Sequence, residues 1–509
     1  MVSLSLVNHL YTVGSLRNVE DGLSYRIKNR LFGATLTAVK DITIDGVPFD
    51  PATSQVVVDG AVRPVMSITA SDPLPFPLGT KLEVRLAGQP LPEGAHAIAA
   101  EFVCDPFGPL AFNAVDYIIQ PPPDRPHIPR LADDWSVDAV KQRQRFVRDV
   151  TGVTLKHVAS MSYDPSLAQG NIEHMTGTVQ IPLGIAGPLL VNGEHAHGEY
   201  LIPLATSEGT LIASYNRGMK VLNASGGVTC TVQDDSMQRA PVFIFDSARQ
   251  AREFSVWLQQ NLPTIAKVAE STTSIGKLLR VETYLAHRFA FCRFDFTTGD
   301  AAGQNMVSKA TFAATSWIIS QRPEVRHFYL ESNFATDNKS SQVNVMHTRG
   351  KLVTAEAWIP RQVLAAVMRV TPEGLVRHGA VANVGAFLSG AVNNGLQSAN
   401  GITAMFIACG QDVANVAESS AAVIHSEVID DGLYLAITLP SLIVATYGGG
   451  TGLPTQSECL AMLGCTGPGK VNKLAEIVAG TVLAGEISLA SAISALDWVS
   501  SHEQYGRNR

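Results

Sequence analysis

Residues 178–211 read TVQIPLGIAGPLLVNGEHAHGEYLIPLATSEGTL. Strand-like runs alternate there with proline and glycine turns, and one acid, Glu208, closes the stretch among small and apolar residues. Proline fixes φ and glycine admits positive φ, so the run is cut into short extended pieces and cannot be one helix. Upstream, Ser136 caps a predicted helix in which Val137, Val140, Val147 and Val150 share one face, with Gly152 past its end. Downstream, residues 242–330 alternate helical and strand patterns, the pattern of an inserted unit. From 380 to 499, Ala/Gly/Ser-rich segments have the composition of closely packed buried helices. This mixture is that of an α+β protein.

The first 119 residues differ. Leu23, Tyr25 and Ile27 alternate with polar residues, as do Leu82, Val84 and Leu86, and Asp45-Gly46 is a hairpin turn between such runs. A small β-sandwich is expected for residues 1–119, followed by a proline-rich linker, QPPPDRPHIPR, over 120–130.

With 509 residues, 46% hydrophobic and 16% charged, the chain has a globular composition and room for several domains. Its net charge of -7 and lack of basic runs argue against a nucleic-acid partner. Six scattered cysteines without a C-x-x-C pair suit free thiols in a reducing cytoplasm and give no metal-ligand spacing. No charge occurs from Gly379 to Gln411, but Asn393, Asn394, Gln397, Ser398 and Asn400 interrupt that run. Buried packing or a polar site is expected there, not a membrane span.

Local chemistry gives candidates without deciding among them. Neither G-x-G-x-x-G after a strand nor a P-loop is present. YGGGTGL (447–453) offers backbone N–H groups to a phosphate or is simply a tight turn. TGDAAGQNMVSKAT (298–311) sets Asp300 and Asn305 among glycines, as a ligand-approach loop or an Asx turn. Glu208 and Asp412 (FIACGQDVANV) each read as a buried proton donor or as an acid near a helix start. His502, near Arg507 and Arg509 in the C-terminal tail, is a mobile acid or a bystander. Lys339, in FATDNKSSQVN (334–344), lies between two strand-like segments, as a loop charge or a cation facing a site.

The ordered runs GTVQIPLGIAGPL, ATSEGTLIASYNRG, TGDAAGQNMVSK, IACGQD and GGGTGLPTQ, with the ending EIVAGTVLAGEISL…VSSHEQYGR, resemble the 3-hydroxy-3-methylglutaryl-CoA (HMG-CoA) reductases over roughly residues 135–509. The class I branch is the nearer match. The resemblance implies a large catalytic domain (135–241 and 331–509) around a long central helix, with a ferredoxin-like cofactor domain inserted at 242–330. It implies reduction of HMG-CoA to mevalonate and free CoA by two hydride transfers from NADPH, the family default, or NADH, without a metal. Carried over by motif, Glu208 is the proton donor, Asp412 its coupled carboxylate and His502 the acid for the departing thiolate. Arg239 (MQRAP) matches the arginine on the HMG carboxylate, Arg217 (YNRG) one near CoA, Asn400 a substrate-side amide and Glu173 (EHMTGT) the substrate loop. Asp300, Asn305, Gly449, Gly450 and Thr451 fall on the cofactor side. A homodimer or higher homo-oligomer follows from the family's shared active site, and a soluble, cytoplasmic chain without the membrane region of eukaryotic members.

The pattern breaks at Asp337-Asn338-Lys339, where class I members read Asp-Lys-Lys. Asn338 occupies the catalytic-lysine position, a second family lysine near 381 is missing, and TTSIGKLLR (272–280) lacks the usual arginine for a 2′-phosphate. Asp337 and Asn338 stay on the substrate side, and Lys339 is the remaining cation for the oxyanion. A different acyl-thioester substrate, in a related acyl-CoA reductase or alcohol dehydrogenase, and a non-catalytic CoA-binding scaffold are the alternatives. Residues 1–119 stand outside the reductase pattern. GSLRNVEDG, IKNRL and DPLPFPLGT there resemble the small β-sandwich subunit of C-glycoside deglycosidases.

Overall fold

A computed structural model describes residues 7–31, 33–120 and 125–496. It divides into two compact units, one of residues 1–125, 239–294 and 308–334, the other of 126–238, 295–307 and 335–509.

The first unit begins with the expected sheet-rich region. One five-stranded sheet runs Arg17–Val19, Gly22–Lys28, Lys81–Ala87, Gln55–Val58, Ala61–Pro64. A second runs Gly108–Ile118, Gly94–Asp105, Ala34–Ile44, Val47–Pro48, with Leu74–Phe76 paired to Ala34–Ile44. Period-two alternation sends Leu82, Val84 and Leu86 inward, each at most 3% exposed. The Asp45-Gly46 turn forms, both residues at positive φ (53° and 77°), as a two-residue hairpin requires. In the same unit, Val242–Ile244 pairs antiparallel with Phe289–Phe291 and with His327–Tyr329. Helix Ala248–Gln260, capped by Ser247, presses Phe254 onto Phe243 and Phe245, with ring centroids 4.8 and 5.0 Å apart.

The second unit is built on a sheet in which Leu183–Gly193 pairs antiparallel with His197–Ala205 and parallel with the strand starting at Val228. Val228–Arg239, Gly350–Pro360, Gly432–Leu442 and Val423–Ile429 continue it antiparallel. Against it lies helix Val471–Ser494, buried along almost its whole length. This helix is long and apolar enough to cross a bilayer, with mean hydropathy 1.6, but 78% of its most apolar window is buried inside the unit. Its small residues permit close approach. A Cβ on Gly218, in helix Leu211–Ala224, would lie 1.7 Å from the Ala484 carbonyl oxygen, and one on Gly485 would strike Tyr215. Two buried acids on the central helix tie down neighbouring turns. Glu476 accepts from the N–H groups of Glu194, His195 and Ala196. Glu486 accepts from those of Leu396 and Gln397, at 2.7 and 2.9 Å.

Two local expectations change. The helix after Ser136 spans Val137–Thr151 and ends at Gly152 in the left-handed region, as read from sequence. Its buried face, however, is Ala139, Val140 and Arg143, while Val137 and Val150 are exposed. Arg143 is drawn inward because its guanidinium donates to the carbonyls of Pro129, Asp134 and Met175 and pairs with the Asp134 carboxylate. The uncharged run 379–411 is not buried throughout. Helix Ser398–Ala408 is mostly buried, but helix Pro372–Ser389 exposes Val381, Val384, Phe387 and Leu388.

Candidate active site

Glu208 sits in the turn between strand His197–Ala205 and helix Leu211–Ala224, its backbone N–H on the Thr206 hydroxyl at 3.0 Å. Thr210, at φ 73°, delivers the chain into the helix. The carboxylate is exposed in the single chain, so burial, one of the two sequence readings, is not observed. Its partner is Asn400, whose Nδ2 donates to Oε2 at 2.9 Å. Asn400 is placed by the central helix. Glu486 holds the backbone entering helix Ser398–Ala408, the Gln397 side chain reaches the Gly485 carbonyl, and Tyr215 donates to the Gln397 carbonyl at 2.8 Å. Burial pushes the Glu486 carboxyl above its ordinary range, against the opposing pull of its backbone N–H partners.

Asp412 is exposed and caps the short turn Val413–Asn415, its Oδ1 accepting from Ala414 N–H at 3.0 Å. Among the described residues no hydrogen bond joins it to Glu208. The cap reading of Asp412 therefore holds in the single chain.

Lys339 is exposed, and its Nζ donates to the Asp337 carbonyl at 2.9 Å. Asn338 is exposed at φ 57°, a left-handed conformation that asparagine tolerates better than most residues. Behind this loop, Asp337 pairs with fully buried Arg349, and Asn338 N–H donates to buried Glu418 at 3.1 Å. Neither Arg349 nor Glu418 was singled out from sequence. The available signal was an acid, Glu418, in the otherwise apolar and small VANVAESSAAV.

Of the residues that the resemblance puts on the cofactor side, Asp300 is a hub within the fold. Its carboxylate accepts from Gly469, Lys470 and Val471 N–H at 2.8–3.2 Å, the start of the central helix. Its carbonyl accepts from Thr446 and Tyr447 N–H. The carboxylate is thus engaged within the fold, while Asn305, next along the same motif, is exposed on helix Gln304–Gln321. Gly449, Gly450 and Thr451 form a tight turn, preceded by Gly448 at φ 80°. It abuts the loop before Asp412 so closely that a Cβ on Gly410 would lie 2.3 Å from the Gly450 oxygen. Gly448, Gly449 and Gly452 face open space on their missing-Cβ side, a cradle of backbone groups that side chains would fill.

The remaining candidates have other partners. Arg217 Nε and Nη2 donate to Ser488 on the central helix, and Arg239 Nη1 pairs with Glu331 at 2.7 Å. Glu173 is exposed beside Met175, in a loop held by Arg143 and by Gln144, which donates to the Thr176 carbonyl. His502 lies outside the described residues.

A family model described as hydroxymethylglutaryl-coenzyme A reductase matches residues 139–507. A second, described as the hydroxymethylglutaryl-CoA reductase N-terminal domain, matches residues 6–119. The N-terminal region, set apart from the reductase pattern by its sequence, therefore falls within the family's own architecture. The 3-hydroxy-3-methylglutaryl-coenzyme A reductase of Methanothermobacter thermautotrophicus is 43% identical over 373 residues, 73% of this chain and 94% of the relative. That of Pyrococcus abyssi is 42% identical over 378 residues, 72% of this chain and 93% of the relative. A solved class II reductase from Streptococcus pneumoniae shares the fold at TM-score 0.53 and 21% identity, over 64% of this chain and 79% of that one. Matched from residue 139 almost to its end and paralleled along nearly the full length of these archaeal relatives, this chain belongs to the hydroxymethylglutaryl-coenzyme A reductase family.

Proposed function

We propose that the chain reduces the thioester of HMG-CoA to the primary alcohol of mevalonate and releases CoA, consuming two equivalents of reduced nicotinamide cofactor and two protons. The cofactor supplies the two hydrides, and the protein manages charge and protons around them. Each hydride leaves negative charge on the substrate oxygen, which calls for a donor and a cation close by. Glu208, oriented by Asn400, supplies the proton to that oxygen. Lys339, with the Asn338 amide, steadies the alkoxide. Asp412 is the carboxylate coupled to Glu208 in the assembled site, and His502 protonates the CoA thiolate. Arg239 meets the free carboxylate of the acyl group, while Asp337, Arg217 and Glu173 line its approach. The Gly449-Gly450-Thr451 turn offers N–H groups to the cofactor phosphates, with Asn305 nearby in motif and Asp300 holding the loops together. NADPH is the expected cofactor.

Glu208, Lys339 and Asp412 are all exposed in the single chain, where water screens their mutual influence. A second copy covering them completes the site, so the working form is a homodimer or a larger assembly. The hydrogen bond between Asn400 and Glu208 carries this reading most directly, because it joins two motif residues into one oriented acid. Purified chain, HMG-CoA and NADPH or NADH in parallel test it. Cofactor oxidation with mevalonate formation is the expected result; oxidation of neither cofactor overturns it. Asn338 favours one further comparison, a panel of other acyl-CoAs, and a strong preference for one of them reassigns the substrate.

A further inference from the structure

Arg349 and Glu418 are both 0% exposed, and their Nε and Oε1 atoms lie 3.4 Å apart. Arg349 also donates to the Gln238 carbonyl at 3.1 Å and pairs with Asp337. Glu418 Oε1 accepts in addition from the backbone N–H of Asn338 at 3.1 Å, while its Oε2 is buried without a hydrogen-bond partner among the described residues. Burying a guanidinium and a carboxylate is unfavourable unless their remaining bonds are satisfied, and a half-satisfied pair is poor at adding stability. What this pair does is specific. It grips one side chain and one backbone N–H at two consecutive residues of the loop that carries Lys339.

We propose that Arg349 and Glu418 are positioning residues for the 337–339 loop. Arg349 fixes the Asp337 side chain, and Glu418 fixes Asn338 in its left-handed conformation (φ 57°). Together they hold a loop on which Asn338 and Lys339 are exposed, with the Lys339 amine bonded back to the Asp337 carbonyl. Arg349 itself is anchored where the chain enters strand Gly350–Pro360. Gly350 there has φ 88°, and a Cβ on it would lie 2.6 Å from the Leu442 oxygen, so the strand start packs directly against the neighbouring backbone. Ser419, next to Glu418, accepts from Ile443 N–H at 3.0 Å and fixes the other end. The loop is thus held between the start of strand Gly350–Pro360 and the short helix Val416–Ser419. An asparagine carries no charge, so its value beside an oxyanion rests on alignment, and alignment is what the clamp supplies.

This inference rests on the reading of the 337–339 loop as the oxyanion loop, and the experiment separates the two. Arg349→Lys keeps the charge but not the fork that holds Asp337 and Gln238 together; Glu418→Gln keeps the shape but not the charge. In either variant, kcat for HMG-CoA reduction is expected to fall by about 10–100-fold with KM within about twofold, the pattern of misalignment and not of lost binding. Amide hydrogen exchange of peptides spanning 335–345 is expected to accelerate at Asn338 by about tenfold or more, while the helix at 471–494 stays protected. A folded variant with wild-type kcat overturns the proposal. So does wild-type exchange at Asn338 as fast as in an unbonded loop, a measurement that needs neither variant nor turnover. If the wild-type chain reduces no HMG-CoA but Asn338 is protected through Glu418, the clamp stands and the assigned reaction falls.

Discussion

Asn400 Nδ2 donates to Glu208 Oε2 across 2.9 Å, although 192 residues separate them in the chain. The bond points the acid in one direction from an otherwise exposed turn. Water competes for this exposed bond, so its contribution to folding stability is small. If the orientation matters only as the substrate oxygen gains charge, Asn400→Ala lowers kcat by about 10–100-fold and leaves the thermal midpoint nearly unchanged. Steady-state kinetics beside a melting curve check this. A loss confined to KM would mean that Asn400 contacts substrate and does not orient the acid.

Asp300 predicts a pH effect on stability. Burial tends to raise its carboxyl, but the N–H groups of Gly469, Val471 and Lys470 outweigh this and hold it below the ordinary aspartate value. The unfolded chain therefore takes up the proton first. The stabilisation is fully present above about pH 4 and is lost as pH falls through the lower folded value. Asp300→Asn keeps an acceptor but removes the charge, and should cost about 0.3–1 kcal/mol at neutral pH, the worth of an anion at a helix N-terminus. Denaturant melts should show the gap to wild type closing as the solution is acidified below about pH 4. A gap that ignores pH would show that the charge of Asp300 is irrelevant to capping.

The fold was legible where a single local rule governs. Asp45-Gly46 is a hairpin because both positions need positive φ, and Gly152 ends its helix for the same reason. The Ala/Gly/Ser composition announced close helices, and the Gly218–Ala484 approach is its physical content. The burial of Arg143 was hidden because three carbonyls from separate segments converge on it, and no spacing rule records convergence. The same holds for Arg349 and Glu418, 69 residues apart. Glu208 was placed by its motif, but its exposure was not foreseen, since small neighbours in sequence do not imply cover in space. Asp300 is left open by the sequence, in a ligand-approach loop or an Asx turn. Its backbone partners lie some 170 residues downstream, and their N–H groups are invisible in a string of side chains.

Gly218→Ala and Gly385→Ala make a matched pair. At Gly218 the added methyl would lie 1.7 Å from the Ala484 oxygen, so the helix Leu211–Ala224 must lift from the central helix. Overpacking of this kind costs about 1–3 kcal/mol, sometimes more, and the expected outcome lies at the upper end or beyond. Gly385, in helix Pro372–Ser389, has nothing within 4 Å of the new carbon. There alanine should stabilise by about 0.5–1 kcal/mol through the smaller entropy loss on folding. Denaturation midpoints of the two variants should move in opposite directions.

The Asn338 and Lys339 positions divide the charge question between them. If the Lys339 amine is the oxyanion partner, Lys339→Ala lowers kcat by about 10²–10³ while CoA binding is largely kept. Unchanged turnover would remove Lys339 from the mechanism. Asn338→Lys puts a cation at the position that class I members use, at a conformational cost of about 1–2 kcal/mol for a non-glycine residue at φ 57°. The single variant restores the Asp-Lys-Lys order with both cations present, so it does not tell which of them serves the oxyanion. The double variant, Asn338→Lys with Lys339→Ala, is the decisive one. Recovery of most of the lost kcat means that position 338 faces the reacting oxygen and that Lys339 normally swings in to replace it. Continued inactivity, with the fold intact, means that the Arg349–Glu418 clamp presents position 339 alone and that the loop has been re-registered around its remaining lysine.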